Sequence, residues 1–235
     1  MTQRNRGKQS SDDQWFAHKW HPILTEACND LGYLLSRGYA APSALQLVGN
    51  RYRLNKRQRQ AITRISASQQ AISKRQAALC PLESVKGKVV DIDGFNLLIL
   101  LESALSGAYL FKARDGTYRD ISSVHGSYKR VQQTEAAIQL IGQTLLAFEA
   151  KAVNWYLDQP ISNSGRLKTR LLAISREQGF PWDVFLVYGP DQVLAKSEHF
   201  VLTADGWILE QAKAWINLSA YLIENQLLQA NVIVV

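Results

Sequence analysis

Between residues 89 and 235, short apolar runs alternate with longer stretches of helical spacing, and three of those runs end at or just before an aspartate. Val89-Val90-Asp91-Ile92-Asp93 reads as a buried strand, followed by Gly94 and a helix over 95–106. Residues 107–128, rich in Gly, Tyr and charge, read as an ordered loop with a hairpin. A helix over 130–150 carries Val131, Ala137, Ile138, Ile141, Leu145 and Phe148 on one face. Strands over 152–157, 184–188 and 199–203 follow, separated by a basic helix over 166–178 and a short helix opened by Pro190-Asp191. A helix over 217–228 and a strand over 232–235 complete the pattern. Strands that alternate with helices need crossover connections, so the expectation is an α/β fold with a mostly parallel central sheet over 86–235.

The chain upstream has another character. Residues 1–86 carry 14 Lys/Arg against 5 Asp/Glu, whereas 87–235 carry 13 against 15. Residues 1–13 are polar and charged and read as a disordered tail. Over 14–80 the apolar residues keep helical spacing (Phe16, Trp20, Ile23, Leu24, Ala27, Leu31), and Asn55 with Gln58 has capping-box spacing before a polar helix expected over 56–78. An all-helical basic region is expected there. Its densest cluster, Arg51, Arg53, Lys56, Arg57, Arg59 and Arg64, has the charge to neutralise several phosphates and displace their counterions.

The position of the acids carries the chemistry. Asp93, Asp158 and Asp205 fall at or just past the carboxyl ends of three strands. In open α/β sheets ligands bind outside those ends, near a switch in strand order. Three carboxylates gathered there repel one another unless protonated or neutralised. Hard oxygen ligands of that kind suit Mg²⁺ or Mn²⁺, ions that activate water for phosphodiester cleavage. Asp91 lies two residues before Asp93 and shares its face, as a supporting acid or one half of an ion pair. Asn96, in the first turn after Gly94, is placed to orient a carboxylate or a water, and Glu102, two turns on, is a candidate fourth acid. Asp120 and His125, in the long 107–128 segment, are candidates to join the site, His125 as a proton shuttle.

The loop at 158–166 is unusual in its run of small polar residues. Ser162, Asn163 and Ser164 before a helix offer backbone N–H groups to an anion, and Arg166, Lys168 and Arg170 add positive charge. Cys28 and Cys80 have neither zinc nor disulfide spacing, which fits reduced thiols and a cytoplasmic protein. No apolar run approaches the ~20 residues that span a bilayer, so no membrane partner is expected.

The string VVDIDGFNLL at 89–98 resembles the first motif of the PIN/NYN-like nucleases, an apolar strand followed by Asp-Gly-aromatic-Asn. Asp158 and the TADG of residues 203–206 match the later acids of that pattern. The resemblance covers about 87–225 and implies a three-layer PIN-like domain with Asp93, Asp158 and Asp205 on the metal and Asn96 beside them. The strings YLLSRGY, ALQLVGNRY, RQRQAI, IDGFN and SNSGRLK together resemble an uncharacterised DUF-type family in which a basic helical part precedes such a domain. Asp91-Ile92-Asp93-Gly94 also resembles the first motif of haloacid-dehalogenase-like phosphatases, with Asp91 as nucleophile and Asp93 as acid/base, although Phe95 stands where Thr or Val belongs. The expected function is a divalent-metal-dependent nuclease acting on structured RNA. The alternatives are a catalytically silent RNA-binding or assembly protein and a phosphatase built on Asp91 and Asp93.

Overall fold

A computed structural model describes residues 6–122 and 126–235. Alternation within Val89–Asp93 puts Val90 and Ile92 on one face of a strand and Asp91 and Asp93 on the other, and all four are buried. In chain order the strands are β1 (Leu79–Cys80), β2 (Val89–Asp93), β3 (Tyr109–Lys112), β4 (Tyr118–Asp120), β5 (Ala152–Asp158), β6 (Trp182–Val187), β7 (Phe200–Leu202), β8 (Trp215–Ile216) and β9 (Asn231–Val234). The helices upstream of β1 are α1 (Asp12–Trp15), α2 (His21–Ser36), α3 (Ala41–Arg51), α4 (Lys56–Ile65) and α5 (Gln69–Ala77). Those downstream are α6 (Gly94–Leu105), α7 (Thr134–Ala147), α8 (Ser164–Gln178), α9 (Pro190–Ala195), α10 (Gly206–Gln211) and α11 (Leu218–Asn225).

Six strands form one parallel sheet in the order β1-β8-β7-β2-β5-β6. The chain runs outward from β2 through β5 to β6, then returns across β2 to β7 and β8. The order therefore reverses between β2 and β7, which opens a crevice outside their carboxyl ends. Apolar side chains of α6, α7 and α8 cover one face, meeting Val90, Ile92, Val153, Trp155 and Leu157. Leu194 of α9 and Ile208 and Leu209 of α10 cover the other, packing on Val201 and Trp215. The result is a three-layer α/β domain. Gly94 permits the close approach of α6, because a Cβ there would stand 2.5 Å from the Leu157 side chain and 3.0 Å from the Tyr156 carbonyl oxygen.

A second sheet, β4-β3-β9, pairs the hairpin expected within 107–128 with the last strand. Phe111, Ala113, Ile121 and Ile233 of this sheet region share one core with Phe16, Leu24, Leu31 and Ile62 of the helical region. Burial of those apolar faces against each other, not a linker, joins the two parts.

Three expectations change. The helix expected over 56–78 is two helices, α4 and α5, broken at 66–68, where the Ser68 side chain caps α5 by accepting from the Ala71 N–H. Residues 79–80, placed at the end of the helical region, form β1 and join the central sheet beside β8. Residues 6–13 are not a disordered tail. Asp12 is buried and accepts from Nε and Nη2 of Arg57 at 2.9 Å each, while Arg6 Nε donates to Glu102 at 2.8 Å. Two arginine–carboxylate pairs withdrawn from water hold this segment in place. Among the described residues no helix is long and apolar enough to cross a membrane.

Candidate functional site

Asp93 closes β2 and opens α6. Its Oδ1 accepts from the Asn96 N–H at 3.4 Å and its Oδ2 from Thr203 Oγ1 at 2.8 Å. Thr203 Oγ1 in turn accepts from the Asp205 N–H at 3.0 Å, and the Asn96 side-chain oxygen accepts from the Ala204 N–H at 2.8 Å. Asp205 caps α10 through Trp207 N–H at 2.8 Å and Ile208 N–H at 3.2 Å. One hydrogen-bonded net thus spans the switch point between β2 and β7. Asp158 is the last residue of β5, the strand paired to the other side of β2.

The structure adds an acid that the sequence argument passed over. Asp191, in the first turn of α9 after β6, belongs to the same group. Burial pushes the Asp93 carboxyl up to about 7, with the Thr203 and Asn96 hydrogen bonds working against the shift and the charges of Asp191 and Asp205 adding to it. Asp191 is raised by desolvation and by the charges of Asp205 and Asp158. Asp93 and Asp191 thus each feel the charge of other acids in this group, and among the described residues none of the four forms an ion pair. Pro190-Asp191 after β6 shows the strand-end-to-helix placement that singled out the other three. That was the available signal.

Asp120 also comes to this region. It is buried at the end of β4, accepts from the Ser122 N–H at 2.6 Å, and lines a cavity of about 110 Å³ with Arg64, Asn96, Arg119 and Asp205. Burial raises its pKa and the Arg64 charge opposes that. Arg119 is committed elsewhere, donating to the carbonyls of Ala204 and Arg64 and to Asp115.

Other expected members lie apart. Asp91 is buried under three partners: Asn154 Nδ2 at 2.9 Å, Ser197 Oγ at 2.6 Å and His199 Nδ1 at 3.2 Å. Glu102 is no fourth acid of the crevice. It is fully buried on α6, where Arg6, the Tyr128 hydroxyl and Thr134 Oγ1 all donate to it. His125 lies outside the described residues.

The basic residues divide. Arg57 is consumed by Asp12 and by the carbonyls of Gly7 and Ile121, and Arg59 by the Leu54 carbonyl and Asn50. Arg51 pairs with Asp30 at 3.3 Å. Arg53 and Lys56 are exposed, and Arg64 turns toward the small acidic cavity. The loop before α8 is not an open anion cradle, because the Ser162 N–H donates to Gly126 O and the Ser164 N–H to Ile161 O. The buried Ser164 hydroxyl donates to Gln159 O, and Asn163 Nδ2 to Tyr128 O. Arg170 is tied to Glu135 and Glu177, whereas Arg166 is exposed and Lys168 half-buried. A groove of about 550 Å³ runs between residues 128–130 and α8, with Lys129, Arg130, Arg166 and Arg170 on its walls.

For a divalent cation the donor chemistry fits: hard carboxylate oxygens, mutually repelling, with no paired arginine or lysine among the described residues. As the side chains stand, no three His, Cys, Asp or Glu among the described residues are close enough together to hold a metal ion.

Residues 82–221, which carry β2, the crevice and all four acids, match the family described as a domain of unknown function, DUF5616. The chain belongs to that family. Residues 23–77 match a second family, the protein of unknown function DUF434. An uncharacterised protein of Methanocaldococcus jannaschii is 36% identical over 203 residues, covering 86% of this chain and 97% of that one. No solved structure matches. The DUF5616 match begins just after β1 and ends before β9, so the DUF5616 fold in this chain borrows a sheet strand from each side of the matched region.

Proposed function

We propose that this protein is a divalent-metal-dependent nuclease of PIN-like fold that cleaves RNA. The observation that carries the reading is the placement of Asp93, Asp158, Asp191 and Asp205 at or just past the carboxyl ends of neighbouring strands, none of them in an ion pair among the described residues, although Arg119 is within electrostatic reach of Asp205. Counted from β2, the order β6-β5-β2-β7-β8 reads 3-2-1-4-5, with the acids at the carboxyl edge where such sheets bind ligands. That arrangement agrees with the resemblance carried by VVDIDGFNLL.

In this reading Asp93, Asp158 and Asp205 hold Mg²⁺ or Mn²⁺, and Asp191 adds charge at the rim. When bound, the ion neutralises the carboxylates, lowers the pKa of a bound water and offsets charge on the leaving oxygen. Thr203 and Asn96 orient the acids by the bonds described above. Arg166, Lys168, Lys129 and Arg130 offer the phosphodiester backbone positive charge along α8.

The test is incubation of the purified protein with total RNA, with and without EDTA, beside Asp93→Asn. Cleavage that needs the metal and vanishes in the variant is expected. Equal cleavage by the variant excludes this site. One observation favours a second reading, a silent RNA-binding protein: Asp93 and Asp205 each cap a helix, a structural use of the same carboxylates. Salt-sensitive RNA binding with no turnover under any divalent metal selects it. The phosphatase reading requires Asp91 as nucleophile, and its three hydrogen-bond partners occupy the carboxylate.

A further inference from the structure

Large aromatic side chains are left in water at the rim of the acidic crevice. Tyr188 is 74% exposed and Trp207 50% exposed, and the other five tryptophans are buried or half-buried. Both positions are tied to the acids by the backbone. Tyr188 follows Val187, whose register partner across β5 and β6 is Asp158. Trp207 donates its backbone N–H to the Asp205 carboxylate at 2.8 Å. Phe185, 42% exposed, lies nearly parallel to Tyr156 with ring centroids 5.4 Å apart and extends this aromatic surface along the edge strand β6.

The chemistry of this rim selects its occupant. A surface that docks another protein is depleted of charge at its centre. Here the aromatics are interleaved with Asp158, Asp191 and Asp205, and a cation-lined groove begins a few residues beyond Asp158. Aromatic faces, a site suited to a cation and a positive groove match the three parts of an unpaired nucleotide strand: bases, the reacting phosphodiester and the continuing backbone. A duplex hides its base faces and cannot use the rings.

We infer that Tyr188 and Trp207 are a stacking platform for unpaired bases, so that the substrate is a single-stranded stretch of RNA, a loop or a bulge within a structured molecule. The inference rests on the nuclease reading for the identity of the polymer. Its test is made without turnover, so that the two can fail separately. The full chain in EDTA is titrated with an oligouridylate of about 10 nucleotides and with an RNA duplex of the same length, while tryptophan fluorescence is followed.

The single strand is expected to quench the fluorescence, and Trp207→Phe to abolish the quench while keeping most of the affinity. Trp207→Ala and Tyr188→Ala are each expected to weaken single-strand binding by about tenfold and to leave duplex binding unchanged. Equal binding of duplex and single strand overturns the inference, as does unaltered single-strand binding by both alanine variants. Sedimentation that shows a dimer dissociated by Trp207→Ala also overturns it, by giving the face to a second copy of the chain. If the strand stacks in EDTA but no metal supports cleavage, the platform stands and the nuclease reading falls.

Discussion

Carboxylates occur in two settings in this molecule, paired with arginine or grouped at the crevice, and the contrast bears on the proposed division between structural and chemical acids. Asp12, Glu102 and Asp115 each face arginine: Arg57 at 2.9 Å, Arg6 at 2.8 Å, and Arg75 and Arg119 at 2.6 and 2.9 Å. The Arg6–Glu102 and Arg75–Asp115 pairs bolt the N-terminal region to the rest of the chain, Arg57–Asp12 closes the N-terminal region on itself, and Arg119–Asp115 is a local pair four residues apart. Arg75 of α5 also reaches Glu210 of α10 at 2.5 Å, across the place where a Cβ on Gly206 would stand 2.5 Å from its guanidinium. At the crevice, by contrast, Asp93 is within electrostatic reach of Asp191 and Asp205, and Asp191 of Asp205 and Asp158. Among the described residues the first three acids have arginine ion pairs and these four have none, with Arg119 near Asp205 but bonded to Asp115 and to backbone carbonyls; the proposed use as cation ligands rests on that difference.

The largest expected effect lies in the paired group. Asp115→Asn leaves Arg75 and Arg119 buried with one partner fewer and is expected to cost about 3–5 kcal/mol by denaturant unfolding. Asp115 also gives the paired group a pH signature. Burial raises its pKa, but the Arg119 charge and the bonds from Thr117 and Arg75 outweigh that and hold it below the ordinary 3.8. Its folded pKa is depressed, so its contribution is complete above the unfolded value and is lost as pH falls below about 4 toward the folded value. Acid unfolding of Asp115→Asn is expected to lack this step.

The crevice should respond with the opposite sign. Asp93 is raised from 3.8 to about 7, so the folded state holds the proton more tightly than the unfolded chain. Stability from this group is present below pH 4 and declines as pH rises to about 7. Asp93→Asn keeps a capping side chain and carries no charge. It is expected to gain on the order of 2–4 kcal/mol over the wild type at pH 8 and nothing at pH 4. A loss of stability at pH 8 would place Asp93 with the paired acids and end the contrast.

A smaller effect is expected from divalent cations. Mg²⁺ or Mn²⁺ at about 100 times its dissociation constant should stabilise the wild type by about 2.7 kcal/mol, and Asp93→Asn far less. Calcium-free buffer with added magnesium, read by thermal unfolding, checks this without any RNA. The smallest change is expected from Asp191→Asn. Asp191 is exposed at the rim, so its removal should lower the Asp93 pKa slightly and weaken the magnesium response without altering the fold.

Much of the α/β architecture was readable in local pattern. The alternation in β2 and β5, the apolar stripe of α7 and the capping box at Asn55 and Gln58 each depend on residues within a few positions of one another. β1 and β8 were not readable, because a two-residue strand has no period and exists only through its neighbour. Arg57 and Arg59 looked like phosphate binders because a run of charge does not reveal which members will meet a buried carboxylate or carbonyl. Glu102 looked like a crevice acid for the same reason: its partner Arg6 lies 96 residues away.

Local sequence determined where strands end, that aspartates stand at those ends, and that the first 86 residues carry the positive charge. Only the tertiary structure decided which of those charges cancel. Backbone conformation follows from steric and polar preferences between near neighbours, so a short window contains it. The state of a carboxylate depends on desolvation and on whatever charge the folded chain brings within a few ångströms, and that partner can come from any position in the sequence.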